Sequence, residues 1–142
     1  MAAISWQVWA LLSAIFAALT AILAKVGVED VNPDVATLIR TFVIVVVLGA
    51  LLLVTGHKIE PIPPRSYLFL TLSGLATGAS WLCYFRALSV GDAAQVAPLD
   101  KLSVVLVAIF AVTFLGERLT IRDWTGIALI TIGGVMVATG RA

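Results

Sequence analysis

VIVVVLGALLLV, residues 43–54, presents no polar side chain on any face. A strand of a membrane barrel alternates apolar with polar residues, so a run that is apolar all round crosses a bilayer as a helix, whose backbone bonds are satisfied internally. Followed outward, the run extends from Val35 to Val54, and four more stretches resemble it: Ile4 to Ala24, Tyr67 to Phe85, Ala93 to Leu115 and Trp124 to Gly140. A helix rising about 1.5 Å per residue needs about 20 residues to cross a hydrocarbon core about 30 Å thick. Each stretch is near that length. The expected fold is therefore an all-α membrane protein, a bundle of five transmembrane helices over about 4–24, 33–55, 66–88, 93–115 and 123–140, in a single domain covering 1–142.

Composition agrees and removes other classes. Of 142 residues, 61% are apolar and 12% charged, against about 25% charged in ordinary soluble domains. A net charge of +1 without a block of Lys and Arg gives no nucleic-acid surface. No hydrophilic segment is long enough for a separate soluble domain, and no nucleophile–base pair, metal cluster or phosphate-binding loop stands out, so neither catalytic residues nor a cofactor is expected. The lone Cys83 cannot form an internal disulfide, and His57 has too few neighbouring ligands for a metal site. MAAISWQVW lacks the basic region of a secretory signal, so the first helix is expected to be retained, giving a multi-pass protein of the cell (inner) membrane.

Helix ends are marked by capping chemistry. Asn32-Pro33-Asp34 suits a cap, a first helical position and the positive end of a helix dipole. Asp92 with Gln95, and Thr120 with Asp123, have the spacing of capping boxes. Between the second and third helices, Thr55 to Arg65 holds three prolines and reads as a surface loop. Small residues mark packing seams: Gly74 with Gly78, Gly134 with Ala138, and Ala10, Ala14, Ala17 and Ala21 on the first helix.

The charges within or beside the spans gather toward one side, where odd-numbered helices end and even-numbered helices begin. Lys25, Arg40, Arg86, Asp100 and Lys101 belong there. Arg40 and Asp100 each fall about two turns into their helices, about 10 to 12 Å deep. Such depth is costly for a charge, which is then paired, water-facing or functional. Two readings stand side by side. In one, Arg40 and Asp100 form a salt bridge while Lys25 and Arg86 snorkel to the interface. In the other, a water-filled cavity uses Arg40 and Lys101 to attract an anionic group and Asp100 to take a proton or an amine. Pro98 removes a backbone bond nearby, and Thr77, Ser80, Trp81 and Tyr84 share one face of the third helix that suits a cavity wall. The candidate substrate-binding residues are Arg40, Trp81, Tyr84, Asp100 and Lys101, with Lys25 and Arg86 secondary.

Lys and Arg are divided almost evenly. Lys58, Arg65, Arg118 and Arg122 fall on the first side, and Lys25, Arg86 and Arg141 on the second, or five with Arg40 and Lys101. So weak a bias permits insertion in both orientations. Inverted copies around a shared site are a common plan for secondary transporters. We therefore expect a homodimer, antiparallel, forming a ten-helix inverted assembly in the lipid bilayer.

WLCYFRALSVGDAAQVAPLDKLSVVLVAIFAVTFLGERLTIRDWTGIALITIGGVMVAT, beginning at Trp81, resembles the EamA domain of the drug/metabolite transporter superfamily. The most specific part is Phe114-Leu115-Gly116-Glu117-Arg118-Leu119, followed by Trp124-Thr125-Gly126 and Gly133-Gly134. Most members carry two such domains and move small metabolites, so the resemblance implies a single-domain version that pairs. Asp100 and Lys101 depart from the uncharged small residues that many relatives have after the proline of the fourth helix. The related small multidrug transporters depend on a Glu in their first helix, whereas Ile4 to Ala24 contains no acid, which disfavours drug export by that arrangement. The expected function is secondary transport of a small polar metabolite by alternating access in a dimer. The alternative is a non-transporting membrane subunit or scaffold paired with another membrane protein.

Overall fold

The computed structural model describes residues 5–56 and 61–140. Its regular structure is helical throughout: α1 (Trp6–Gly27), α2 (Pro33–Thr55), α3 (Pro64–Val90), α4 (Ala93–Asp100), α5 (Ser103–Phe114) and α6 (Ile121–Thr139). Five spans are long and apolar enough to cross a membrane: α1, α2, α3, α4 with α5, and α6. At about 1.5 Å per residue, their 19 to 27 residues reach about 28 to 40 Å. The longest, α3, exceeds a hydrocarbon core and must tilt or extend past it. Leu53 and Val54 are 84% and 86% exposed within an all-apolar run, a surface that requires hydrocarbon rather than water around it. Ile4, His57, Lys58, Glu60 and Arg141, all placed by the sequence reading, lie outside the described residues.

Local chemistry sets the helix ends. The Asn32 side chain accepts from the Asp34 amide at 2.9 Å, and Pro33 opens α2, where its missing N–H is no loss. Pro64 opens α3 in the same way, so that helix starts before the expected residue 66. At α6 the capping box forms, with Asp123 accepting from the Thr120 amide at 2.8 Å and Thr120 accepting from the Asp123 amide at 3.3 Å. The box expected at Asp92 does not form. Gln95 instead donates to the Gly140 carbonyl at 3.0 Å, a helix-end acceptor that competes for its amide. The hydroxyls of Thr37 and Thr41 donate to the carbonyls of Pro33 and Thr37, each at 2.8 Å, so polar side chains inside α2 are satisfied by their own helix.

Gly56 and Gly116 end α2 and α5 in the left-handed region, at φ 63° and 69°. The chain beyond Gly116 turns so that the Glu117 amide donates to the Ala111 carbonyl at 3.1 Å. A side chain there strains the backbone by about 1 to 2 kcal/mol. Gly116→Ala is therefore expected to destabilise the folded protein by about 1 kcal/mol, measured as a lower unfolding midpoint in detergent.

The fourth span, expected to be one helix over 93–115, is interrupted. Lys101 and Leu102 join α4 to α5, and the amides of Leu102, Val104 and Val105 each donate to a carbonyl three residues back, at 3.1 Å. This tightened turn follows Pro98, which cannot donate within α4. The break thus comes just after the residue at which a kink was expected.

The helices form two compact units. Among the described residues, one holds those up to Ile22 and from Gly91 onward; the other holds those between Leu23 and Val90. In the first, α6 packs against α4 and α5. Gly134 is buried there, and a Cβ on it would lie 3.0 Å from the Pro98 carbonyl oxygen, so this seam closes because the position lacks a side chain. In the second unit, α2 packs on α3. Gly74 and Gly78 of α3 have no heavy atom within 4 Å of a built Cβ, so the other seam is open.

Candidate functional site

The α2–α3 hairpin brings together Arg40, Trp81, Tyr84 and Arg86. Arg40 projects from α2 over the Trp81 ring of α3, its guanidinium carbon 3.5 Å from the ring centroid, with the Phe85 ring at 5.6 Å. Tyr84 adds a phenolic group within electrostatic reach of Arg40. Six residues toward the start of α2, Asp34 accepts two hydrogen bonds from Arg86, from Nε at 3.1 Å and from Nη2 at 2.9 Å. The two contacts share one register. Advancing along α2 from Asp34 to Arg40 means retreating along α3 from Arg86 to Trp81, as in any antiparallel pair.

These neighbours divide the charges. Arg86 and Asp34 neutralise one another through a bidentate pair on the exposed rim of the hairpin. Lys25, at the end of α1, donates to the Leu88 carbonyl at 2.9 Å, where a cation suits the negative end of α3. Arg40 is different. It is half-buried, its plane is covered by rings, and among the described residues of this unit no hydrogen bond or ion pair engages its N–H groups. Stacking occupies the face of a guanidinium and leaves its five in-plane donors for another group.

Asp100 and Lys101 lie in the other unit, at the break between α4 and α5. Their side chains are joined by a hydrogen bond of 3.1 Å. Thus Arg40, Trp81 and Tyr84 come together on one hairpin, Asp100 and Lys101 form a pair at the broken helix, and Lys25 and Arg86 are engaged at the hairpin rim. Thr77, read as part of a polar wall with Trp81, donates instead to the Ser73 carbonyl at 2.9 Å within α3.

Asp34 and Phe85 were missed as partners. By sequence Asp34 is a dipole-stabilising residue at a helix start, and Phe85 the end of an apolar stretch. The hairpin register carried the signal, since α2 begins and α3 ends on the same side, which puts Asp34 opposite Arg86 and Phe85 near Arg40. The rim pair is exposed, and such pairs contribute little to stability. Arg86→Ala is expected to move the unfolding midpoint by no more than about 2 °C, read by thermal unfolding in detergent; a shift several times larger would show that the pair holds the hairpin closed.

The comparisons with known proteins bear on the whole chain. Residues 4–139 match the EamA-like transporter family. A protein of Sinorhizobium sp, described as an uncharacterized transporter in the cobO 3' region, is 63% identical over 136 residues, covering 94% of this chain and 96% of that relative. No solved structure matches significantly.

Proposed function

Since this chain belongs to the EamA-like transporter family, we propose that it is a membrane transporter of a particular kind: a secondary carrier that moves a small polar metabolite by alternating access within a dimer of inverted copies. The observation that carries this reading is the half-buried guanidinium of Arg40, held over Trp81 while the acid nearest it in register, Asp34, is taken by Arg86. A cation at membrane depth with no counter-ion among the described residues of its unit is costly, and the natural return on that cost is ligand binding. The five spans supply half of a ten-helix assembly, and inverted pairing completes a site between repeats.

Asp100 and Lys101 form a second candidate group. The break between α4 and α5 places this acid–base pair on a discontinuous span, the kind of segment that forms substrate and ion sites in secondary carriers. Asp100→Asn is expected to weaken dependence of flux on a proton gradient, measured by comparing uptake with and without an imposed gradient.

The test of the carrier reading is uptake by proteoliposomes containing only the purified chain. Saturable uptake of at least one member of a small-metabolite panel supports it; none, in vesicles whose protein is folded, overturns it. The inverted arrangement has its own check. C-terminal tags should be reached from both sides of the membrane, and tags reached from one side alone would contradict dual orientation.

A further inference from the structure

A guanidinium stacked on an indole is a shaped receptor as well as a charge. Trp81 covers one face of Arg40 at 3.5 Å, so a ligand approaches the in-plane edge, where paired N–H donors are spaced for two oxygens in one plane. A carboxylate fits that edge in bidentate fashion. A tetrahedral phosphate dianion brings a second charge that needs a second cation at the same place; on this unit's rim Arg86 is neutralised by Asp34, and Lys25, which keeps its charge, is directed to the Leu88 carbonyl. The Trp81 platform itself holds a single guanidinium, whose one charge matches one carboxylate. An amine is repelled outright.

We propose that the α2–α3 hairpin binds one carboxylate group on the edge of Arg40, with Trp81 as the platform that fixes the plane, so that the carried metabolite is a carboxylic acid. This rests on the carrier reading above and names the substrate class of its site. Arg40 then acts as a specificity-determining residue. Lys keeps the charge but has neither the planar fork nor the stacking surface, so it is not equivalent there.

The experiment uses matched compounds that differ only at the carboxyl group: succinate and succinamide, glutamate and glutamine, lactate and lactamide, with glycerol 3-phosphate and putrescine as the other charge classes. Flux into proteoliposomes and binding are measured on the same protein, binding by tryptophan emission with Trp81→Phe as the control that identifies the signal. For the compounds carried, the acid should outpace its amide by at least about tenfold, and Arg40→Lys should lower acid flux and binding by at least about tenfold. Equal transport of an acid and its amide, preferential transport of the phosphate or the amine, or full activity in Arg40→Lys would overturn the carboxylate assignment while leaving a carrier in place. Acid-selective binding lost in Arg40→Lys, without flux, would uphold the carboxylate site and overturn the carrier. Neither flux nor selective binding overturns both. Helical content measured on each variant separates loss of function from loss of fold.

Discussion

Arg40→Gln is expected to reduce saturable flux by about two orders of magnitude while the protein remains folded. The two effects have separate causes. Removing a desolvated charge that meets a ligand's opposite charge costs about 2 to 5 kcal/mol of interaction, enough to abolish uptake at ordinary substrate concentrations. The fold responds otherwise. The stacked pair contributes about 0.5 to 2 kcal/mol, whereas a charge placed at membrane depth costs about 2.5 to 3.5 kcal/mol on insertion scales. The neutral side chain therefore leaves stability unchanged or higher. Flux and thermal unfolding on one preparation check both halves. A midpoint that falls steeply with flux would make Arg40 a structural residue.

Gly134→Leu is expected to have the largest effect on the fold itself. A Cβ there meets the Pro98 carbonyl oxygen at 3.0 Å, and the Leu102 side chain stands 3.6 Å away. Both belong to the segment around the helix break, and the proline ring fixes the backbone that would have to yield. Overpacking at such a contact costs about 1 to 3 kcal/mol, and a branched side chain falls at the upper end or parts α6 from α4. Gly74→Leu supplies the contrast, because a Cβ at that position meets no heavy atom within 4 Å. Thermal unfolding of the two variants in detergent should separate them clearly. Equal losses would mean that α6 does not depend on its approach to Pro98.

The five spans were legible in the sequence because hydrocarbon imposes one strong condition, a long apolar run, which needs no knowledge of neighbours. Caps at Asn32 and Thr120 were legible too, since their chemistry is local. The failed box at Asp92 shows the limit of that locality: Gln95 found an acceptor at Gly140, far away in the chain. Pro98 announced a disturbance in the fourth span, but its form, a tightened turn at Lys101 and Leu102, depended on how the following amides found acceptors. Among the charged residues, depth along a helix was readable and partners were not. Arg40 and Arg86 both looked like cations of one side, yet the register of α2 on α3 gives Arg86 a carboxylate and Arg40 a ring. That difference, set by which residues the hairpin turns toward each other, separates a rim contact from a candidate binding group.

As proposed above, this chain is half of a carrier and works only as a pair. It is tested by uptake into liposomes reconstituted with the purified chain over a falling range of copies per vesicle, using every charge class of the matched panel. The fraction of vesicles that fill should follow the fraction holding at least two copies, and should vanish as single occupancy prevails. Filling that tracks vesicles with one copy would contradict the paired carrier, and no filling at any density would contradict transport by this chain alone.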